Sequence, residues 1–329
     1  MNERILVIGS NSFSGAWFVR HCLEQGLEVT GISRSAESDP VFLPYKSIGS
    51  QNFQFQQLDL NRDLPQILHL VREFGPDYIV NFAVQGMVGE SWLNPEHWYQ
   101  TNVVATIKLH DELRKIGGFK KYVHISTPEV YGSCSGLVTE STRYNPSTPY
   151  AVSRAAADMS LMTFKEVYGF PVVFTRAANV YGPGQQLYRI IPRTILYFLL
   201  GKKLQLHGGG HSLRSFIHIR DVADGTLRVA RQSAPGEIFH FSTTENISIR
   251  ALVELIAERL GKSFADNVEV VGDRPGKDSA YLLDSSKARR QLGWQDTISL
   301  ERGIAETIAW VSDNLDTLQN QPFDYIHKA

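Results

Sequence analysis

Short apolar runs alternate with longer stretches of helical periodicity through the first half of the chain. The runs that predict strands are residues 4–8, 28–32, 53–58, 78–82, 122–126 and 172–176, with a later candidate at 237–241. The stretches with helical spacing and polar faces include residues 13–25, 63–74 and 97–116. Strands that are apolar along nearly their whole length and alternate with helices indicate a parallel sheet covered on both faces. The pattern therefore predicts a doubly wound α/β fold of about seven strands.

The character of the sequence changes after about residue 180, where glycine and proline become frequent and arginines lie near them. Loops of this kind, on a scaffold that is already formed, are a common place for a substrate site. If the seventh strand joins the first sheet, the second lobe is inserted rather than appended. We predict a sheet domain at residues 1–180 with about 216–243, and a smaller C-terminal substrate-binding lobe at 181–215 and 244–329.

Composition excludes several kinds of partner. The 329 residues include 33 Lys and Arg against 34 Asp and Glu, without a long basic run, so neither nucleic acid nor a membrane surface is expected as a partner. The longest apolar run, "IIPRTILYFLL", is interrupted by Pro192 and Arg193 and is too short to span a bilayer. The chain starts directly with a strand pattern, and we expect a cytoplasmic protein. Cys22 and Cys134 have neither metal-ligand nor disulfide spacing, which predicts reduced thiols and no metal site.

The stretch "ILVIGSNSFSGAWFV" reads as a strand, a glycine turn and the start of a helix. Gly9 permits the tight turn and Gly15 permits close packing of helix on strand, so the free N–H groups of the helix face a pyrophosphate. Ser12 stands where the usual fingerprint has its middle glycine, and it offers a hydroxyl to a phosphate. The stretch predicts a Rossmann-type dinucleotide site, and the alternative is a strand–helix turn without a ligand.

The end of the second predicted strand bears on the choice of cofactor. Ser33 and Arg34 stand where an NAD site usually has an acid for the ribose 2′-hydroxyl, and an arginine suits a 2′-phosphate. We predict NADP, with NAD as the alternative, while Arg34 as a solvated loop cation stays open. Asp59 ends the third strand, where its carboxylate would receive the adenine amino group or cap the next helix.

Six segments, in order along nearly the whole chain, resemble the extended short-chain dehydrogenase/reductase family, in particular nucleotide-sugar 4,6-dehydratases (dTDP-glucose and GDP-mannose types) and epimerases. They are "GSNSFSG", "NFAVQGMVGESWLNPEHWYQTN", "HISTPEVYG", "YAVSR", "RAANVYGPGQ" and "GDRPGKD". The resemblance implies a nicotinamide cofactor and a nucleotide-diphosphate sugar as substrate. It also adds Phe13, Leu60 and Ala83 to the predicted cofactor contacts.

By this resemblance, Thr127 and Tyr150 act on a sugar hydroxyl, and the nicotinamide takes the hydride from the same carbon. Arg154 replaces the family's lysine one helical turn after Tyr150, so both project from one face. Its charge would favour the tyrosinate and its donors would reach the cofactor ribose, but an arginine does not relay protons. Ser147 or Thr148 is expected to cap this helix.

The dehydratases carry Thr-Asp-Glu at the strand end, where this chain has Thr127, Pro128 and Glu129. Glu129 retains the implied role of base at C5, with an ordinary ion pair as the alternative. Proline cannot donate the proton that departing water needs. Three reactions stay open: dehydration with a displaced acid, epimerisation through a 4-keto sugar, and redox chemistry or rearrangement of a sugar already dehydrated. A cofactor-binding sensor without turnover is an alternative of another class.

The resemblance also implies a set of substrate-binding residues. Arginine suits a diphosphate because its fork donates two parallel hydrogen bonds. The predicted diphosphate-site residues are Asn179, Arg189, Arg214 and Arg274. Lys277 stands where related dehydratases often have a histidine, His207 lies beside the base or ribose, and Gln85 and Gly86 lie near the hexose. The arginines as surface ion pairs are the alternative for each.

Helices 97–116 and 150–168 carry apolar residues on more than one face. The residues concerned are Val103, Ile107, Leu109, Met159, Leu161, Met162 and Phe164. In the family the corresponding helices form a four-helix dimer interface, so a homodimer is expected. The alternative is that these residues cover the chain's own sheet.

Overall fold

Seven parallel strands form the central sheet of the computed structural model, which describes residues 2–49, 51–134, 136–272 and 282–328. Within these residues the strands, in chain order, are β1 (Arg4–Ile8), β2 (Glu28–Ser33), β3 (Phe53–Gln57), β4 (Tyr78–Asn81), β5 (Lys121–Ile125), β6 (Leu137–Val138), β7 (Val172–Ala177), β8 (Asn179–Tyr181), β9 (Leu204–His207), β10 (Leu213–Arg214), β11 (Phe216–His218), β12 (Ile238–Phe241), β13 (Ile247–Ser248), β14 (Val268–Val271) and β15 (Leu282–Leu283). The order across the central sheet is β12-β7-β5-β4-β1-β2-β3. The predicted seven-stranded fold is confirmed, including the late seventh strand.

The helices follow the same alternation. They are α1 (Phe13–Glu24), α2 (Leu64–Phe74), α3 (Pro95–Tyr99), α4 (Thr106–Ile116), α5 (Pro149–Tyr168), α6 (Ile190–Leu199), α7 (Ile219–Gln232), α8 (Ile249–Arg259), α9 (Phe264–Asn267), α10 (Ser286–Leu292), α11 (Leu300–Asp313) and α12 (Leu315–Leu318). Within the described parts of the chain, we find no helix with the length and apolar character needed to cross a membrane.

The central strands are buried on both faces because successive side chains point to opposite sides. In β1, Ile5 and Val7 pack in one cluster with α1 and α7. Leu6 and Ile8 pack in a second cluster with α2, α4 and α5. Two helical layers therefore enclose both faces of the sheet and leave its carboxyl edge available for a site.

The register brings three loops together at that edge. Ile8 at the end of β1 pairs with Ile32 of β2 on one side and with Asn81 of β4 on the other. The loops that follow these strands start at neighbouring points, since adjacent strands lie about 5 Å apart. A crevice at the carboxyl ends of such strands is the usual ligand position in open α/β sheets.

The residues after β7 build a second cluster away from the sheet. Its core includes Ile195 of α6, Leu252 of α8 and Ile304 of α11. Short strand pairs (β9 with β14, β10 with β13, β8 with β11) connect these helices. The predicted lobe boundaries at residues 180, 215 and 243 stay predictions.

The helix predicted at 97–116 is interrupted. Between α3 and α4 the chain makes a π-helical turn, Gln100–Ala105, in which Asn102 is fully buried. Such turns shift the side-chain register within a helix and often occur at functional sites. The amphipathic pattern does not show this turn, because a single widened turn hardly changes the apolar periodicity.

Candidate active site

The glycine turn after β1 has the close approach that the sequence predicts. Gly9 has φ +85°, and a Cβ there would lie 2.7 Å from the Ala83 backbone nitrogen. A Cβ on Gly15 would lie 2.2 Å from the Gly9 carbonyl oxygen. Neither position accepts a side chain, so turn, helix and the β4 loop pack as one unit.

Ser12 is the N-cap of α1, and its Oγ accepts a hydrogen bond from the Gly15 N–H at 3.0 Å. The hydroxyl proton of Ser12 remains available to a phosphate oxygen. Phe13 is buried in the core below the turn, so its side chain is structural, and the cofactor contact predicted for it is limited to its backbone at the helix N-terminus.

A cavity of about 610 Å³ lies over this turn. The predicted cofactor residues that line it are Gly9, Ser12, Ser33, Arg34, Asp59, Leu60 and Ala83, together with the predicted substrate residue Gln85. The donor set combines a helix N-terminus, hydroxyls and a carboxylate beside a glycine cradle that a Cβ would fill. These residues fit a nicotinamide dinucleotide, with the pyrophosphate over the turn.

The β2 end of the cavity is held by hydrogen bonds that sequence reasoning did not anticipate. Ser33 Oγ accepts from the Asn11 N–H at 3.0 Å, and Asn11 Nδ2 donates to the Ser35 carbonyl. Arg34 Nη1 donates to the Lys328 carbonyl oxygen at 3.2 Å. Asn11 and Lys328 both line the cavity and were missed. Asn11 lies inside the glycine turn and was detectable there, whereas Lys328 is far away in sequence.

Asp59 contacts the cavity from the end of β3. Its Oδ1 accepts from the Asn61 N–H at 2.8 Å, which closes a local turn. The N-cap position of α2 is Asp63, so the alternative that Asp59 caps this helix is wrong. Asp59 lines the cavity, and its predicted contact with the adenine stays a prediction.

The catalytic pair proposed from sequence is brought together at the end of β5. Thr127 follows β5, and Tyr150 lies in the first turn of α5, whose N-cap Thr148 accepts from the Ala151 N–H at 3.1 Å. Thr148 thus fills the predicted capping role. The Thr127 side chain lies close enough to the Tyr150 phenol to lower the pKa of that phenol.

Charges of both signs act on Tyr150. Burial and the Glu129 carboxylate raise the pKa of its phenol, whereas Arg154, the Thr127 side chain and Arg189 lower it, and the net direction is upward. Arg154 thus acts in the expected direction but does not outweigh burial. The predicted residues Thr127, Glu129, Tyr150, Arg154 and Arg189 form one electrostatic group.

Arg154 itself lies deeper than expected. It is 2% exposed, and its Nη2 donates to the Ile125 carbonyl and lies 3.1 Å from His124 Nε2. Burial and the neighbouring Arg154 charge hold the pKa of His124 well below its usual range, so this ring is a neutral acceptor. One nitrogen of this guanidinium, Nη2, is engaged by β5, and the expected contact of Arg154 with the cofactor ribose stays a prediction.

A series of hydrogen bonds that the sequence did not reveal connects the β4 loop to the backbone of Tyr150. Asn102, on the π-helical turn, accepts from the Gln85 N–H at 2.8 Å and donates to the Gln85 carbonyl and to Ser153 Oγ at 3.0 and 2.9 Å. Ser153 Oγ donates to the Tyr150 carbonyl at 2.7 Å. The β4 loop and helix α5 are therefore tied to each other. The residue pattern alone carries no signal for this function of Asn102.

The predicted substrate residues are more widely placed. Arg189 is the exposed N-cap of α6, with its guanidinium carbon 5.3 Å from the Tyr188 ring centre. Asn179 donates to the Ser215 carbonyl at 3.1 Å, and Arg214 Nη1 donates to the Leu213 carbonyl at 2.8 Å. His207 Nδ1 lies 3.2 Å from the Gly272 carbonyl oxygen.

Three further residues complete the predicted substrate set. Gly86 directly follows Gln85 in the β4 loop, and a Cβ added to it would lie 3.6 Å from a methyl carbon of Val84. Arg274 and Lys277 lie outside the described residues. Of the predicted set, Gln85 is connected to α5 by the hydrogen bonds through Asn102, and the Arg189 charge acts on the Tyr150 pKa. The substrate-binding roles of the whole set stay predictions.

The comparison with known proteins agrees with this geometry. The model of the family described as GDP-mannose 4,6 dehydratase matches residues 6–307. The dTDP-glucose 4,6-dehydratase of Escherichia coli is 30% identical, covering 96% of this chain and 95% of that protein.

Solved structures extend the agreement to the whole fold. DesIV, a dTDP-glucose 4,6-dehydratase from Streptomyces venezuelae solved with NAD and TDP, is 31% identical with a TM-score of 0.88, covering 95% of this chain and 98% of that one. A UDP-glucose 4-epimerase from Thermotoga maritima, solved with UDP-glucose, is 25% identical with a TM-score of 0.86, covering 95% and 99%. The chain therefore belongs to the GDP-mannose 4,6-dehydratase family within the extended short-chain dehydrogenases/reductases, and it is a nucleotide-sugar dehydratase/epimerase-type enzyme with a nicotinamide cofactor.

Proposed function

We propose that this enzyme oxidises a nucleotide sugar transiently at C4 to a 4-keto intermediate, with Tyr150 as the acid/base. The observation that carries the proposal is that the Thr127 side chain at the end of β5 lies close enough to the Tyr150 phenol to lower its pKa, on the same sheet edge as the dinucleotide cavity. Thr127 orients the phenol, and Tyr150 removes the proton of the C4 hydroxyl. A nicotinamide dinucleotide, which the turn around Gly9 and Ser12 would hold, would supply the reversible hydride acceptor for this oxidation.

The residues beside Thr127 influence the step after this oxidation. The Glu129 charge is close enough to raise the Tyr150 pKa, which supports a role as base at the neighbouring sugar carbon C5. Pro128 is buried at the start of the short helix Pro128–Tyr131 and has no proton to donate to departing water. Dehydration, named for most of the relatives, is our first candidate. Epimerisation or rearrangement of a keto sugar is the second, and Pro128 favours it.

Mass spectrometry of the products from a panel of dTDP-, UDP-, GDP- and CDP-hexoses tests the proposal. A product lighter by one water indicates dehydration, and an isobaric product indicates epimerisation or rearrangement. Absence of any reduced-nicotinamide absorbance and of any product, with dehydrated sugars included, would refute the proposal and leave a silent cofactor-binding protein.

For the cofactor we propose NAD, the dinucleotide named in the solved relatives. The sequence argument for NADP rests on Arg34, but one donor of this side chain is used by the Lys328 carbonyl. Calorimetric titration with both dinucleotides decides the matter, and tighter binding of NADP would restore the first prediction.

The substrate is proposed to be a nucleoside-diphosphate sugar, as in the relatives solved with TDP and UDP-glucose. Arg189 is the side chain that supports this best, since it is an exposed cation at a helix N-terminus and its charge acts on Tyr150. A diphosphate at this position would place the attached sugar towards the phenol.

We also propose a homodimer through α4 and α5. The expected contact residues Leu109 and Leu161 are wrong, because both are fully buried against the chain's own sheet. Instead, the large apolar side chains exposed in this part of the chain are Val104 on the π-helical turn before α4 and Val152, Met159, Val167 and Tyr168 on α5. Exposed apolar residues gathered on α5 and beside the start of α4 support an interface with a second copy.

A further inference from the structure

Residues 321–328, here called the closing segment, cross the open edge of the cavity. Their side chains alternate between half-buried and exposed positions, as in an extended chain whose successive side chains point to opposite sides. Phe323, Tyr325 and His327 are half-buried, whereas Pro322, Asp324, Ile326 and Lys328 are exposed. The segment thus has one face packed against the protein and one face that remains accessible.

The half-buried face is anchored on both lobes. The Tyr325 ring meets the Tyr188 ring edge-on at 5.5 Å. His327 Nε2 lies 2.8 Å from His97 Nδ1, and its ring stacks on Trp98 at 5.2 Å. These contacts join the substrate lobe, through Tyr188, to α3 beside the sheet. The contacts of Tyr325 and His327 give the segment a defined position over the cleft.

A further contact anchors the segment to helix α6. Arg193 of α6 donates to Asp324 Oδ1 at 2.7 Å and to the Phe323 carbonyl. This ion pair neutralises the one carboxylate that the segment presents to the cavity. The free charge that remains on this face is therefore positive, on Lys328.

The exposed face of the segment lines the 610 Å³ cavity. The Lys328 carbonyl oxygen accepts from Gln85 Nε2 at 2.7 Å and from Arg34 Nη1 at 3.2 Å. Gln85 follows β4 and Arg34 follows β2, and β1 lies between these strands, so the segment passes over the glycine turn. Lys328 Nζ lies 3.2 Å from Ser35 Oγ, at the β2 end.

We propose that the closing segment is the outer wall of the dinucleotide site, with Lys328 and Ile326 as cofactor-binding residues and His327 as a positioning residue. The Lys328 ammonium attracts a phosphate of the dinucleotide, and Ile326 covers its apolar part. A cavity remains beneath the segment, so the segment encloses the dinucleotide rather than occupying its place. This inference rests on the proposed use of a dinucleotide by the chain.

Calorimetric dissociation constants for NAD and NADP test the proposed role of the Lys328 charge. Lys328→Gln is expected to weaken binding by about tenfold or more, as for loss of one charge-assisted contact. The matched control is Lys262→Gln, an exposed lysine outside the cavity, which should leave both constants unchanged. A loss for NADP alone assigns the charge to the 2′-phosphate, and an equal loss for both assigns it to the pyrophosphate.

Two outcomes separate this inference from the proposed function. If the unaltered protein binds neither dinucleotide, the proposed function itself fails. If it binds one and Lys328→Gln binds as tightly, the role of Lys328 is refuted while the function stands.

Stopped-flow dissociation rates of the bound dinucleotide test the enclosure. Ile326→Ala and His327→Ala are expected to release it several-fold faster, whereas Leu137→Ala should not, although Leu137 is as exposed (64% against 63%). Melting temperatures of all variants show that the fold is intact. His327→Phe, which retains the stacking on Trp98, should recover part of the retention. Unchanged release rates in Ile326→Ala and His327→Ala would overturn the closing role.

Discussion

At the scale of single residues, the active site depends on how charges and burial are balanced around one phenol. Tyr150 is flanked by Glu129, which raises its pKa, and by Arg154 and Arg189, which lower it. Arg154 is held by His124 and the β5 backbone, and it therefore acts as a fixed charge rather than a mobile donor. Proton transfer through a lysine amine has no counterpart at this position.

Replacing Tyr150 by Phe is expected to reduce turnover by about 10²-fold or more, the usual contribution of a positioned acid/base, while dinucleotide binding is retained. Tyr168→Phe, at the exposed end of the same helix, is the control and should keep full activity. Steady-state kinetics with a calorimetric titration check both. Full activity of Tyr150→Phe would disprove the assignment of the base.

The pH dependence of C4 oxidation should respond to the neighbours of Tyr150 with opposite signs. The tyrosinate fraction rises with pH below the phenol pKa, so activity should increase towards alkaline pH. Arg189→Gln removes a charge that lowers this pKa, and the rise should move to higher pH. Glu129→Gln removes a charge that raises it, and the rise should move to lower pH. Shifts in the same direction for both variants would contradict this electrostatic account.

At the scale of secondary structure, the turn between β1 and α1 combines two constraints that are separable. Gly9 has a positive φ and also touches the β4 loop, whereas Gly118 has a similar φ of +83° with nothing within 4 Å of a Cβ. The first constraint is local backbone strain, and the second is tertiary packing. Comparing alanine substitutions at the two positions therefore measures how much the close approach to the β4 loop contributes to the free energy of unfolding.

Gly118→Ala is expected to lower the free energy of unfolding by about 1 kcal/mol, from backbone strain alone. Gly9→Ala should cost several kcal/mol and abolish dinucleotide binding, because its Cβ would collide with the backbone of Ala83. Denaturant unfolding and calorimetric titration measure the two effects. Equal stability of the two variants would show that the turn tolerates a shift of the β4 loop.

At the scale of the whole molecule, the exposed apolar side chains of α5 and of the π-helical turn before α4 bear on the proposed dimer. Met159 is 57% exposed on α5, and Val270 on β14 has the same exposure. Only Met159 belongs to a face where several such residues lie together. The two positions therefore separate the effect of an interface from that of an isolated apolar residue.

Met159→Glu is expected to dissociate the proposed dimer, since a buried unpaired carboxylate at an interface costs several kcal/mol. Val270→Glu should leave the molar mass unchanged. Light scattering after size-exclusion chromatography checks both variants. A monomeric unaltered protein would refute the proposed dimer.

Much of this architecture follows from local pattern. The alternation of apolar runs and helical stretches determined the sheet, the glycine turn and the order of the motifs, because each depends on residues close in sequence. The candidate catalytic residues Thr127 and Tyr150 were identified by resemblance, since strand ends and helix starts carry short motifs. The prediction for Leu109 and Leu161 failed because an apolar helix residue looks the same whether it faces its own sheet or a partner.

The tertiary structure decided what depends on distant segments. The buried position of Arg154, the link from Asn102 to Tyr150 and the placement of Lys328 across the cavity all join residues far apart in the chain. Contacts of this kind leave no periodic signal, because neither partner constrains the sequence around the other. The sequence by itself determined the fold and indicated Thr127 and Tyr150 as the candidate catalytic pair, and only the folded chain decided which charges act on Tyr150 and which distant segment lines the cavity.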